Sequence, residues 1–275
     1  MPEMLEVELY RQLADRATGR TITSVAVPDS RVLRGDVSVA GIRRALVGRP
    51  LTAARRRGKL LLLDTGDGGP TVGMRFGMTG GLVLDDHQAI DALVYGPAGF
   101  GRQWVRFGLH LAGRDGNDGG DLLLHDPRRF GRVVLDPDED ALGPDAATVT
   151  VAQLRHVLAS RPSPSGRPAA GPPLKARLLD QSRLAGLGNL LVDEILWRAD
   201  LSPRRPSGSL SGDDVNVLAR RIRSTVAQLL RRGGSHTGDL MPERRAGGHC
   251  PKDGAPLTKS TVGGRTTWWC PQHQV

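Results

Sequence analysis

The chain has 275 residues and a mass of 29.5 kDa, room for two modest domains with cores of their own. It carries 38 Lys plus Arg against 29 Asp plus Glu, a formal charge of +9 and a pI near 10.6, which points to a polyanionic partner. No apolar run approaches the roughly 18 residues of a membrane helix, the start MPEMLEVELYRQ lacks the basic-then-apolar form of a secretory signal, and two cysteines cannot build a disulfide framework, so a reducing cytosol is the expected compartment.

In chain order, Leu5, Leu9 and Leu13 at four-residue steps, with Val7 and Tyr10 beside them, predict a helix over the first dozen residues. Short strand-like runs follow: Thr21–Val27, Lys59–Asp64, Gly73–Met78, Gly81–Leu84, Arg102–Leu111, Asp121–His125 and Arg132–Leu135. Within Arg102–Leu111, Trp104, Arg106, Gly108 and His110 alternate with Val105, Phe107, Leu109 and Leu111, the pattern of a half-buried strand. Many short strands without intervening helices predict a β-sandwich or barrel. The glycine-rich stretch Gly113–Gly120 reads as a flexible loop between strands.

Near residue 150 the pattern changes. Thr150 with Gln153 forms a capping box for a short helix through Leu158, and the Pro/Gly/Ser-rich stretch Ser160–Pro173 reads as a linker or exposed loop. Helices are expected from Leu174 to about Asp180, from Leu190 to Ala199, and after Ser211, where Asp214 completes a second box. The last helix buries Val215, Leu218, Ile222, Val226 and Leu229, carries arginines on its polar face, and stops at Gly233-Gly234.

Four local features carry chemistry. Met1-Pro2-Glu3 leaves a secondary amine at the chain start once the initiator is removed, and an α-amino group with a pKa of roughly 7.7–8.0 is in part a free nucleophile at neutral pH. Asp126-Pro-Arg128-Arg129-Phe130-Gly131 joins cations to an aromatic in a turn, suited to phosphate contact and insertion into a base stack. Ala185-Gly-Leu-Gly-Asn189 puts backbone amides and an Asn at a helix start, where a phosphate can sit, although Asn189 could equally be a plain cap. In the tail, Cys250, Asp253, Cys270 and His273 keep the spacing of a zinc ribbon, two pairs sixteen residues apart, with Asp and His where a ribbon has Cys. A zinc ion and a metal-free hairpin are both open.

Taken together, MPE at the start, RRRGKLLLL around Lys59, MRFGMTG from Met74, DPRRFG, LLDQ…AGLGN…DEILW and GRTTWWCP resemble the formamidopyrimidine-DNA glycosylase / endonuclease VIII family of base-excision repair enzymes, in collinear order over nearly the whole chain. The resemblance implies an α+β fold: an N-terminal catalytic β-sandwich with a terminal helix (1–145), a helix–two-turns–helix DNA-binding domain (146–238) and a C-terminal zinc-finger-like β-hairpin (239–275). It implies a glycosylase with lyase activity at abasic sites, acting as a monomer on duplex DNA with a damaged base or abasic site, in the bacterial cytosol or nucleoid. Pro2 then attacks the deoxyribose C1′ to form a Schiff base, Glu3 handles the sugar protons, and β- or β,δ-elimination follows. Lys59, Asn189 and Arg265 grip phosphates, and Met78, Arg128 and Phe130 fill the gap left by the flipped nucleotide. Lys175 and Glu194 match supporting positions, Lys175 on the DNA side. Cys250, Asp253, Cys270 and His273 stand where the family holds Zn2+ with four cysteines.

Only ten residues separate Asp239 from Cys250, far fewer than the segment with which formamidopyrimidine glycosylases cover a flipped 8-oxoguanine. LAGLGN…VDEILW is closer to the endonuclease VIII branch and DPRRFG to the other, so the lesion, including one other than 8-oxoguanine, stays open. A DNA-binding relative without catalysis is the alternative from another class; Pro2, Glu3, Lys59, Asn189 and Arg265 argue against it, because binding alone needs no free N-terminal proline.

Overall fold

The computed structural model describes residues 2–90, 99–113, 119–159 and 170–275. Met1, most of the glycine-rich 113–120 stretch and most of the 160–173 linker lie outside the described residues. The chain divides into two compact units, Met1–Glu139 and Asp140–Val275.

The first unit opens on α1 (Met4–Asp15), which starts at Glu3 with a reciprocal capping box to Glu6. Then come β1 (Ile22–Ala26), α2 (Val39–Leu46), β2 (Leu51–Arg57), β3 (Leu60–Thr65), β4 (Val72–Arg75), β5 (Gly81–Leu84), β6 (His87–Gln88), β7 (Val105–Leu111), β8 (Gly120–His125) and β9 (Arg132–Leu135). They form two antiparallel sheets, ordered β1-β7-β8-β5-β6 and β2-β3-β4-β9. Both contribute to one core with α1, through Tyr10, Leu61, Leu63, Phe76, Phe107 and Leu122 among others. Full burial of such side chains stabilises by about 1.5–3 kcal/mol each. The expected sandwich with a terminal helix is therefore present.

Four details differ from the sequence expectation. The segment Arg102–Trp104 is a 3₁₀ turn, and the strand starts only at Val105. β7 lies between β1 and β8 and is buried on both faces from Arg106 to Leu109, not half-buried. The guanidinium of Arg106 tolerates this because it donates to the carbonyls of Asp126 (3.0 Å) and Gln103 (3.0 Å). β4 ends at Arg75, since Gly77 adopts a left-handed φ of 59° that turns the chain. β2 and α2 were absent from the expected elements. β2 hides behind its charge: Arg55 pairs with Asp64 and Glu139, and Arg56 with Glu8, so an Arg-rich strand sits in a satisfied sheet.

The second unit contains α3 (Val151–Leu158), α4 (Leu174–Leu179), α5 (Asn189–Arg198), α6 (Gly212–Arg231) and a hairpin of β10 (Thr258–Val262) and β11 (Arg265–Trp269). The capping boxes Thr150/Gln153 and Ser211/Asp214 are both formed, and α6 stops before the positive-φ pair Gly233-Gly234. Between α4 and α5 the turn is buried, with Leu184, Ala185 and Leu187 inaccessible. Gln181 staples it, donating to Leu179 O and Leu187 O and accepting from Gly186 N–H. β11 packs against α5. Among the described residues no helix is long and apolar enough to cross a membrane.

Candidate nucleic-acid interface and metal centre

In the first unit the chain start is tucked in. Pro2 is buried and Glu3 is 1% exposed at the head of α1, its N–H donating to Glu6 Oε2 at 2.7 Å. α1 is fixed along its length: the Tyr10 hydroxyl donates to Gly80 O (3.2 Å), and its ring meets Phe76 at 4.5 Å between centroids. Burial, with Glu6 nearby, pushes the Tyr10 hydroxyl far above its ordinary value, so it stays a donor. Lys59 stands just before β3 in the β2–β3 turn, where Gly58 takes a φ of 57°. Arg56 ties that turn to α1, donating to Gly58 O (2.8 Å) and Glu8 Oε2 (3.1 Å).

Met78, Arg128 and Phe130 are brought together on two touching loops. A Cβ at Gly77 would lie 2.6 Å from the Phe130 backbone, so only glycine lets the loops meet this closely. Asp126, wholly buried, organises both. Its carboxylate accepts from Thr79 Oγ1 (2.9 Å) on one loop and from Arg128 N–H (3.1 Å) and Gly131 N–H (2.6 Å) on the other. Arg129 takes a left-handed φ of 60°, and Phe130 is left 47% exposed with the Arg128 guanidinium 5.2 Å from its ring centroid. The sequence reading gives Asp126 no organising role and does not place Thr79 or Arg106 beside it; the Asp in DPRRFG is visible, but these two partners lie 47 and 20 residues away.

In the second unit Lys175 and Asn189 meet at the carbonyl of Thr266, the residue after Arg265. Asn189 is the first residue of α5, with Gly188 as its cap, so the plain-cap reading of Asn189 does not hold. Its Nδ2 donates to Thr266 O (3.0 Å), leaving the second N–H of the amide for another acceptor. Lys175 is fully buried, its ammonium on Asp193 Oδ1 (2.6 Å) and Thr266 O (3.1 Å); the expectation that it faces DNA gives way to an internal ion pair. Arg265 is exposed at the first position of β11, opposite Val262. Glu194 is buried and accepts from Asp239 N–H, Leu240 N–H and Arg198, fixing the chain where it leaves α6.

Cys250, Asp253, Cys270 and His273 offer donor atoms that all lie within 4.8 Å of one another, a cluster able to hold a metal ion. Two sulfurs, an imidazole and a carboxylate form a borderline-soft set of the tetrahedral type. Burial above all pushes the Cys270 thiol up to about 11, which a bound dication would reverse. The N–H of Ala255, followed by His273, holds the Asp253 carboxyl well below its usual range. His273 turns Nδ1 toward Asp253 Oδ2 (2.7 Å) and has Asp200 Oδ1 3.5 Å from its Nε2, and Trp197 Nε1 donates to Cys250 Sγ at 3.3 Å. Trp197, missed in the sequence, forms the apolar seat of this centre with Leu240.

The family model described as the Formamidopyrimidine-DNA glycosylase N-terminal domain matches residues 1–133, and the one described as the Formamidopyrimidine-DNA glycosylase H2TH domain matches residues 142–240. The formamidopyrimidine-DNA glycosylase of Thermus thermophilus is 32% identical, covering 100% of this chain and 98% of its own, and that of Roseiflexus sp. is 33% identical with 100% of both covered. Among solved structures, the Lactococcus lactis Fpg protein with a THF-DNA and an inhibitor superposes with a TM-score of 0.79 at 25% identity over 100% of both chains. The wild-type Lactococcus lactis Fpg with an N7-benzyl-Fapy-dG containing DNA gives 0.78 at 25% identity over 99% of each. Two family models in tandem, relatives matched from end to end and a shared architecture lead to one conclusion: this chain belongs to the formamidopyrimidine-DNA glycosylase family.

Proposed function

We propose that the protein excises damaged bases from duplex DNA and cleaves the abasic strand, using Pro2 as nucleophile. The amine nitrogen of Pro2 bonds to C1′ as the glycosidic bond breaks and the base departs; the C1′–O4′ bond then opens, with O4′ taking a proton from Glu3, and leaves an iminium ion at C1′. Glu3 moves the sugar protons, the C2′ proton is lost, and elimination breaks the bond from C3′ to its phosphate oxygen; water then releases the enzyme. Lys59, Asn189 and Arg265 hold backbone phosphates, while Met78, Arg128 and Phe130 plug the stack behind the extruded nucleotide. The supporting observation is the Pro2–Glu3 start, seated at the buried head of α1 in a chain that matches the family throughout. Borohydride reduction on abasic-site DNA should trap the protein covalently. Pro2→Gly, or a protein with residues left ahead of Pro2, should show no trapping. Undiminished trapping by the extended protein would sink the role of Pro2.

The four-residue cluster is the Zn2+ site of this reading. Cys250 and Cys270 as thiolates, His273 as imidazole and Asp253 as carboxylate would hold the ion, which supplies structure to the hairpin and no step of the reaction. A second observation bears on the lesion. The ten residues between Asp239 and Cys250 form a tight link, with Leu240 buried, Glu243 accepting from His249 N–H and Arg244 bound to Asp193. A link tied down this way has no slack to fold over an extruded base. The reading is therefore a preference for oxidised or ring-opened bases other than 8-oxoguanine, checked with a panel of single-lesion duplexes; excision of 8-oxoguanine at the fastest rate in the panel would refute it.

A further inference from the structure

We propose that Asp193 is the positioning residue for Arg265, clamping the finger hairpin onto the helical turn from within. This rests on the reading that Arg265 grips a backbone phosphate. The Asp193 side chain is wholly buried on α5. One carboxylate oxygen takes the Lys175 ammonium at 2.6 Å; the other takes the Arg244 guanidinium at 2.7 Å and the Trp268 N–H at 3.3 Å. Lys175, equally buried, sends another N–H to Thr266 O at 3.1 Å, the carbonyl that also accepts from Asn189. Thr266 and Trp268, one and three residues beyond Arg265 on β11, are thus held by side chains from α4 and α5, and Arg244 of the Asp239–Cys250 link braces Asp193 in turn.

The chemistry makes the clamp selective for one register. A buried ammonium needs acceptors for its N–H groups, and one that Lys175 uses is the Thr266 carbonyl of β11; successive carbonyls of a strand point to opposite sides, so a one-residue slip would turn that acceptor away. Buried charge clusters contribute little net stability but can fix register. At the other side of Arg265 the hairpin turn is also fixed: Gly263, at a φ of 58°, sits so close to α4 that a Cβ would lie 2.9 Å from that of Ala176. Arg265 is therefore presented between two anchored points. Neither shares a residue with the cluster Cys250, Asp253, Cys270 and His273, so the clamp fixes β11 through contacts of its own, beside whatever order a metal gives the hairpin.

The test uses the full chain and a duplex with a non-cleavable abasic analogue. Lys175→Met with Asp193→Asn removes one charge of each sign; Arg265→Ala is the reference, and the triple variant closes the cycle. Folding is followed by thermal unfolding, metal content by elemental analysis, and the clamp by hydrogen exchange at Thr266–Trp269. The double variant should keep its metal, exchange at Thr266–Trp269 at least tenfold faster, and lose duplex affinity and salt dependence to the same degree as Arg265→Ala. The triple variant should bind within twofold of Arg265→Ala. If the double variant does not fold, Arg244→Gln at the edge of the cluster should speed the same exchange at least threefold. Unchanged exchange overturns the clamp, and additive losses in the triple variant overturn the link to Arg265. Faster exchange with an Arg265→Ala protein that binds normally overturns the proposal through the phosphate reading on which it rests.

Discussion

Asp126 shows how much of this protein hangs on single side chains. It draws the donors of two loops onto one buried carboxylate, and hydrogen bonds to a charged acceptor are worth about 1.5–3 kcal/mol each. Asp126→Ala should therefore lower stability by roughly 2–4 kcal/mol in denaturant unfolding and depress excision on intact lesion duplexes. Glu3→Gln acts elsewhere. General acid–base help is worth roughly 10²–10⁴-fold, so base excision should fall by at least tenfold while cleavage of a preformed abasic site falls less. His125, next to Asp126, is buried with Nδ1 unpartnered, and burial pushes its pKa below the ordinary histidine value. Below about pH 6.5 the unfolded chain takes up a proton that the folded ring resists, so stability falls with pH at no more than about 1.4 kcal/mol per unit until the lowered pKa is passed. The melting temperature of His125→Leu should change less between pH 7.5 and 5.5 than that of the native protein; an identical change would remove His125 as the cause.

At the level of elements, the helices of the second unit were legible because their ends are written in local chemistry, whereas α2 was not. Thr150/Gln153 and Ser211/Asp214 form their boxes as the spacing requires, and Gly233-Gly234 ends α6. The strands were legible where Leu and Val dominate and illegible where arginine does. β2 reads as a polar loop until Asp64, Glu139 and Glu8 are brought to it from other elements. The site divides in the same way. Pro2, Glu3 and the exposed Arg128 and Phe130 are recognisable as residue types in motifs, whereas Asp126–Thr79 and Asp193–Arg244 are pairings over 47 and 51 residues that no spacing rule announces. The hairpin carries its own prediction. Protein purified without chelator should hold about one zinc per chain, and Cys250→Ser should lose it and speed hydrogen exchange over residues 250–257, while 266–268 keep their protection. Zinc below about a tenth per chain in the native protein would leave the four donors as a hydrogen-bonded cluster.

For the whole molecule the governing quantity is charge. A net +9 drives association with any duplex through counterion release, so affinity should fall linearly on a log–log plot against salt. Lys59→Ala and Arg265→Ala should each weaken binding to every lesion by a similar factor and reduce that slope by about one. A loss confined to one lesion would place the residue at a base instead.

The two loops that meet at Gly77 and Phe130 are cross-braced before any DNA arrives. A side chain that must first be ordered slows every encounter in which it is used, and most encounters during a search are with undamaged pairs. Phe130 and Arg128 already stand on a braced mount, so in the role proposed for them testing a base pair would be limited by the opening of the pair rather than by the readiness of the protein. Residence at undamaged sites can then be brief, and the search fast, without sacrificing the firmness of the plug once a lesion swings out.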